Sequence, residues 1–241
     1  MNMMFGRRRI VAFGREHMNF GRGAYVTYTN ARILAKAYGQ YRTAQDRECF
    51  DSAGTEIPWY TYPAIEYIKN HDLRSLNILE YGSGNSSIFY LSRGAAVTSV
   101  EDNYSWYEKI SRDSEILGHN YVFADLQNDY VDRPEVLDAD IVAIDGSWRT
   151  ESVAFVMSKI LSGESVPSWV IFDNSDRYPI SIRKLDEELG WPRVDFCGFG
   201  PINAYTWVTS IYLNPDRRIP RNDSHIASVH GIVCNMEQEA T

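Results

Sequence analysis

Leu76-Asn-Ile-Leu-Glu-Tyr-Gly-Ser-Gly-Asn-Ser86 decides the fold. Its first half is a short apolar run that reads as a strand. Gly82 and Gly84 then let the backbone turn sharply and approach a ligand closely. Similar strand-like runs follow at Ala96–Glu101, Tyr121–Asp125, Asp140–Asp145 and Trp169–Asp173, each ending on a carboxylate. Amphipathic stretches lie between them. One is capped by Asn103 and carries Trp106, Tyr107 and Ile110, with Gly118 as its stop. Another is capped by Thr150, sets Val153, Met157, Ile160 and Leu161 on one face, and closes at Gly163. A third opens at Pro179, turns Ile182, Leu185 and Leu189 inward and stops at Gly190. Such alternation predicts a parallel sheet covered by helices. Arg193–Phe199 and Ala204–Leu213 are close together in sequence, which predicts an antiparallel pair at one sheet edge. The expected fold class is α/β: a seven-stranded, mostly parallel sheet with helices on both faces and an N-terminal helical extension.

That extension, residues 1–75, reads differently. Asn30 is expected to cap a helix with Ile33, Leu34, Ala37 and Tyr41 on its face. Pro58-Trp59-Tyr60-Thr61-Tyr62-Pro63 precedes a second helix bearing Ile65 and Ile68. The expected division is therefore a helical cap over 1–75, a ligand-binding domain over 76–213, and a polar, loose tail over 214–241.

The chain has 241 residues, with 24 basic against 32 acidic side chains and a net charge of −8. This makes a general nucleic-acid binder unexpected, because gripping phosphates needs a surplus of Lys and Arg. The charge is uneven: residues 1–50 carry +6 and the remainder −14. Cys49, Cys197 and Cys234 are widely spaced and odd in number, which reads as reduced thiols rather than a disulfide framework or zinc site. No apolar run approaches the roughly 18 residues of a membrane span, and the apolar stretch after Arg7-Arg-Arg9 is too short for a signal peptide. A cytoplasmic protein is the expectation.

In an open α/β sheet, ligands bind beyond the carboxyl ends of the strands, where the strand order reverses. The loop from Glu80 through Ser86 points there. Glu101 ends the second strand 21 residues after Glu80, where a carboxylate can accept both hydroxyls of a ribose. A nicotinamide dinucleotide is the first candidate, but Ser87 stands where the third fingerprint glycine would be. Glu80 would also repel a pyrophosphate while suiting an amino or sulfonium cation. S-adenosylmethionine (SAM) has both cations, a ribose and no phosphate.

Ile78-Leu-Glu-Tyr-Gly-Ser-Gly-Asn-Ser86 resembles motif I of the class I SAM-dependent methyltransferases, and Ser99-Val-Glu101 resembles their acidic ribose motif. The resemblance covers roughly residues 76–213. It implies that the segment Glu80, Tyr81, Gly82, Ser83, Gly84, Asn85, Ser86 would line the methionine part, that Glu101 would bind the ribose, and that Asp125 would contact adenine. Asp145 joins this set from the fourth strand. The segment Trp59, Tyr60, Tyr62 resembles a subgroup associated with bacterial glycan or secondary-metabolite modification, which makes these residues candidates for acceptor contact. Plainer readings stand beside these: Glu80 neutralising an Arg, Glu101 capping the helix after Asn103, Asp125 starting a turn.

Asp145 and Asp173-Asn174 end the fourth and fifth strands. Adjacent parallel strands lie about 4.8 Å apart, so these three side chains would converge and can be read as ligands for Mg²⁺. The set is similar to that of the metal-dependent catechol-type O-methyltransferases, whose catalytic lysine is absent here. Arg149 follows Asp145 by four residues; it is a poor base but a good clamp for an anion. Without a metal, Asp145 or Asp173 can act as general base toward a hydroxyl. A third reading leaves them as turn-holding residues. No HExxH, GxSxG or GxxxxGK[ST] motif occurs.

The basic front interleaves Arg7, Arg8, Arg9, Arg15, Arg22, Arg32, Lys36, Arg42 and Arg47 with aromatic residues. It reads either as a lid for an anionic, glycan-type acceptor or as packing that neutralises the acidic body, including across a homodimer interface. The leading expectation is SAM-dependent methylation of a hydroxyl. The alternatives are a nicotinamide-dependent oxidoreductase and a non-catalytic SAM-binding scaffold.

Overall fold

A computed structural model of the chain describes residues 21–114 and 118–222. The central sheet has seven strands: β1 (Asn77–Tyr81), β2 (Ala96–Glu101), β3 (Asn120–Phe123), β4 (Ile141–Ile144), β5 (Trp169–Asp173), β6 (Arg193–Gly198) and β7 (Trp207–Leu213). Their order is β3-β2-β1-β4-β5-β7-β6. The first five strands run parallel, and β7 is antiparallel to both β5 and β6. The expected fold class and the antiparallel edge pair are both observed. The order reverses between β1 and β4, which is where such sheets open a ligand crevice.

Each central strand is buried on both faces, so its residues divide by parity between two cores. Ile78, Val97, Ile141, Ala143, Trp169 and Ile171 join one core. Leu79, Val100, Val142, Ile144, Val170 and Phe172 join the other. The first core is closed by α3 (Tyr62–Lys69) and α4 (Asn85–Leu91) through Ile65, Ile68, Phe89 and Tyr90. The second is closed by α7 (Arg149–Leu161) and α8 (Pro179–Leu189) through Val153, Val156, Met157 and Leu185. The same alternation assigns four acids to the first core's face. Glu80 follows Ile78, Glu101 follows Val97 and Ser99, Asp145 follows Ala143, and Asp173 follows Ile171. Their shared side is a consequence of the pleat.

Several boundaries differ from expectation. β3 ends at Phe123, in register with Glu101, and Asp125 lies beyond it. Asn103 does cap α5 (Tyr104–Ser114), its Oδ1 accepting from the Trp106 N–H at 3.1 Å. α7 starts at Arg149 rather than after a Thr150 cap, and Leu161 is exposed while Val156 is buried. Helices α4 and α6 (Gln127–Val131), which the apolar periodicity does not announce, are also present.

The extension also departs from expectation. Residues 21–32 are already helical (α1), so Asn30 lies inside the helix and does not cap it. The chain continues through a π-turn over Ile33–Ala37, breaks at Gly39 (φ 75°) and resumes as α2 (Gln40–Asp46). Leu34 packs against the first core, whereas Tyr41 faces solvent. A Cβ on Gly39 would lie 2.8 Å from the Asp51 carbonyl carbon, so this break requires glycine.

Residues Ile57, Tyr60, Ile65, Ile68 and Leu73 belong to the same core as the strands. Of the expected loose tail, the part up to Asn222 is docked: Asn214 and Ile219 are buried, and the Asn222 side chain donates to the Lys69 and His71 carbonyls. Arg7, Arg8, Arg9, Arg15, Cys234 and the rest of the tail lie outside the described residues. Among the described residues, no helix is long and apolar enough to cross a membrane.

Candidate active site

A cleft of about 910 Å³ opens over the carboxyl ends of the parallel strands. Gly82, Ser83, Gly84, Asn85, Ser86, Glu101, Asp145, Arg149, Asp173 and Asn174 line it, and Trp59 stands at its wall. So most of the expected site residues converge. Glu80, Tyr81, Tyr60, Tyr62 and Asp125 do not line it.

At the β1 end the two glycines have different reasons. A Cβ on Gly82 (φ 96°) would lie 2.7 Å from the Gly146 nitrogen, so this glycine lets the β1 and β4 turns touch. Gly146 is held reciprocally, because a Cβ there would strike the Tyr130 hydroxyl and the Gly82 backbone. At Gly84 the missing side chain faces the Trp106 ring at 3.4 Å. The Trp106 indole donates to the Ser83 carbonyl at 2.7 Å, which pins the loop from the α5 side.

Glu80 is fully buried beneath this loop rather than standing at its entrance. Its Oε2 accepts from the Ser99 hydroxyl at 2.8 Å and from the Ser87 hydroxyl. Oε1 has no well-formed hydrogen bond, and the Ser86 hydroxyl also bears on the carboxyl. Burial raises this carboxyl from 4.5 to about 7. Parity explains the position: the residue two after Ile78 points under α4. Tyr81 takes the opposite face, where its hydroxyl donates to the Val131 carbonyl at 3.0 Å.

Glu101 reaches the cleft. Its Oε2 accepts from the Ser83 hydroxyl at 2.8 Å and its Oε1 from the Asn103 N–H at 3.0 Å. It therefore supports the start of α5 and also presents a carboxylate to the cleft, with its pKa raised by burial. Asp125 is exposed on the loop after β3. Asp102 and Asn103 line the cleft instead.

The β4–β5 end is organised by Arg149. Its Nε donates to the Gly146 carbonyl at 2.9 Å. Nη1 donates to the Asp173 carbonyl at 2.5 Å and to Asn174 Oδ1 at 3.1 Å. Nη2 donates to the Asp145 carbonyl and, at 2.9 Å, to Asp145 Oδ1. With every donor nitrogen engaged, this guanidinium fastens two strand ends and is not a free clamp for an anion.

Asp173 is buried and accepts at Oδ1 from the Trp207 indole at 3.1 Å and from the Thr209 hydroxyl. Its carboxyl is also a hydrogen-bonding neighbour of Asp145. Burial and the charge of Asp145 push Asp173 well above the ordinary range. Burial raises Asp145 to about 6, opposed by Arg149. Two buried carboxyls this close disfavour the doubly charged state, and Arg149 favours the charge on Asp145.

These residues do not fit Mg²⁺. The Asn174 Oδ1 is already used by Arg149, Asp173 Oδ1 already accepts two hydrogen bonds, and a fixed guanidinium occupies the cation's place beside Asp145. Among the described residues, no group of three or more His, Cys, Asp or Glu side chains is arranged to hold a metal. Arginine carries its charge permanently and satisfies carboxylates as a fork.

Tyr60 and Tyr62 are core residues. Their rings are buried at 0% and 5% exposure, whereas Trp59 is 45% exposed. Sequence reading placed Arg47 in the basic front but missed that residues 47–49 form a strap along the cleft. Arg47, Glu48 and Cys49 line the cleft. Lys109 pairs with Glu48 at 2.6 Å, and the Asn85 side chain donates to the Cys49 carbonyl at 2.8 Å. Behind the strap, Gln40 donates to the Gly200 and Asn203 carbonyls, and Thr43 accepts from the Ile202 N–H. Helix α2 and the strap that follows it thus link the 200–203 loop to the glycine loop. Contacts at such sequence separation leave no local signal.

No family model and no curated protein matches the chain. Among solved structures, it is similar to a precorrin-6y C5,15-methyltransferase from Geobacter metallireducens GS-15, with 13% identity, 70% of this chain and 96% of that one covered, and a TM-score of 0.49. It is also similar to the C-terminal domain of precorrin-6Y C5,15-methyltransferase from Rhodobacter capsulatus (15% identity, 68% and 94% covered, TM-score 0.46). A third is magnesium protoporphyrin IX methyltransferase from Synechocystis PCC 6803 with bound SAM (13% identity, 59% and 72% covered, TM-score 0.39).

Proposed function

We propose that the chain is a SAM-dependent methyltransferase acting on a hydroxyl, without a metal. One observation carries the donor half. The Gly82–Ser86 loop and Glu101, from neighbouring strand ends, line one cleft with buried acids at its head and no basic side chain in the loop. That electrostatic setting disfavours a pyrophosphate and suits a cationic donor carrying a ribose. The residues present fit SAM at the β2 end, where Glu101 offers a carboxylate in the cleft beside the glycine loop.

SAM supplies an electrophilic methyl group and leaves as S-adenosylhomocysteine (SAH). Glu101 would accept the ribose hydroxyls, and the loop backbone would hold the methionine part. Asp145 would take the proton that the acceptor hydroxyl gives up, held in place by Arg149 on one side and by the Asp173 carboxyl on the other. Arg149 acts through these acids and is a positioning residue.

The test is SAH formation from SAM across a panel of hydroxylated acceptors, with EDTA or Mg²⁺ added. Turnover indifferent to both, and lowered on the order of 100-fold in Asp145→Asn, is the expected result. Turnover that collapses with EDTA and returns with Mg²⁺ would overturn the metal-free assignment.

A further inference from the structure

We propose that the cleft rim beside Asp173 is an acceptor subsite for a flat ring bearing an anionic group, with Arg177 and Arg47 taking the anion and Tyr205 and Trp59 the ring. The inference rests on the methyl-transfer reading and names the acceptor's chemistry.

All four side chains line the cleft and all are exposed. Arg177 lies 5.5 Å from the centroid of the Tyr205 ring. That ring is 5.9 Å from Trp207, whose indole donates to Asp173. A continuous path therefore runs from the acid pair to the arginine. The charge inventory of the cleft singles out the same residues. Lys109 is paired with Glu48 at 2.6 Å, and Arg149 with Asp145 at 2.9 Å. Arg47 and Arg177 form no ion pair among the described residues. At the β2 end the excess is of the opposite sign, in Glu101 and Asp102.

An arginine fork matches phosphate and carboxylate geometry, and exposed aromatic rings stack on flat ligands. The volume of 910 Å³ is at the top of the range of about 300–1,000 Å³ for small-molecule sites, which leaves room for donor and acceptor together.

The experiment uses the full chain. SAH binding is measured first by calorimetry. The SAH-saturated protein is then titrated with phenyl phosphate, benzoate and glucose 1-phosphate, and with phenol, glucose and inorganic phosphate as partial probes. At least one anionic ring is expected to bind about tenfold or more tighter than its neutral parent and than inorganic phosphate. Arg177→Ala and Tyr205→Ala should each weaken that binding by about tenfold, with Arg177→Lys between. A preference for the phenyl probes over glucose 1-phosphate is expected of a flat ring, and a preference for glucose 1-phosphate would overturn the flat-ring assignment. If SAH binds but charged and neutral probes bind alike, or Arg177→Ala changes nothing, the acceptor subsite is overturned while the donor reading stands. If SAH does not bind, the donor reading itself is overturned, and this inference with it.

Discussion

The β1–β2 end of the sheet and the β4–β5 end solve the same problem in opposite ways. Both bring carboxylates to the first core's face at the strand termini. At β1–β2 the acids are held by hydroxyls: Ser87 and Ser99 on Glu80, Ser83 on Glu101. Among the described residues, neither acid has a cationic partner within ion-pair distance. At β4–β5 the acids are held by a guanidinium and by each other. An end whose carboxylates have no cation can receive one from a ligand. An end whose charge is already balanced is suited to moving a proton. The difference is the physical basis for assigning donor to one end and acceptor to the other.

The largest expected effect lies at the balanced end. Arg149→Met removes five hydrogen bonds and leaves Asp145 without its cation. A loss of about 3–5 kcal/mol in urea unfolding is expected, the range for breaking a buried pair by removing one partner. A loss below about 1 kcal/mol would mean that the fastening is superficial and would erase the contrast between the ends.

At the other end, Glu80→Gln should stabilise the protein. The folded carboxyl sits near 7 against an ordinary 4.5. The folded state therefore binds more protons than the unfolded chain between these values, and stability falls as pH rises through this window. The penalty is absent below about pH 4.5 and complete above about pH 7, of order 3 kcal/mol. The glutamine variant should lack this slope in thermal melts at pH 5 and pH 8. A wild-type slope retained in the variant would contradict the assignment. The same substitution should weaken SAM binding, since it removes the charge beneath the loop.

Activity should report the acid pair. With Asp145 raised to about 6 by burial, protonation below that value removes the base, so kcat should fall about tenfold per pH unit below about pH 6. A flat kcat from pH 5 to 8 would take Asp145 out of the chemistry. The smallest effect is expected at Asp125, which is exposed and outside the cleft. SAM affinity in Asp125→Ala should stay within about twofold of wild type, as for most surface substitutions.

The two ends also differ in how readable they were. The strands, their carboxylate termini and the antiparallel edge pair follow from local apolar runs and turn residues. Parity extends that reading further than the loop motif does, because Ile78/Glu80 and Ile171/Asp173 each mark which face an acid occupies. Counting from Ile78 would have shown that Glu80 lies under α4, not at the mouth. The role of Arg149 was not readable. Its partners are carbonyls and an amide at the ends of two strands, and sequence reports neither their spacing nor their directions. The same holds for the strap at 47–49, which reaches the cleft through contacts with Asn85 and Lys109. Tyr60 and Tyr62 show the converse error, since aromatic residues near a motif suggested ligand contact where packing claimed them.

The central claim is that the β1–β2 end receives a cationic donor through Glu101. Calorimetry with SAM, SAH and NAD, on the wild type and on Glu101→Ala, tests it most directly. SAM and SAH should bind the wild type while NAD does not, and Glu101→Ala should lose about tenfold to 100-fold in SAM affinity, as expected for a charge-assisted hydrogen-bond acceptor. Binding of NAD without SAM, or a Glu101→Ala variant with wild-type SAM affinity, would contradict the account.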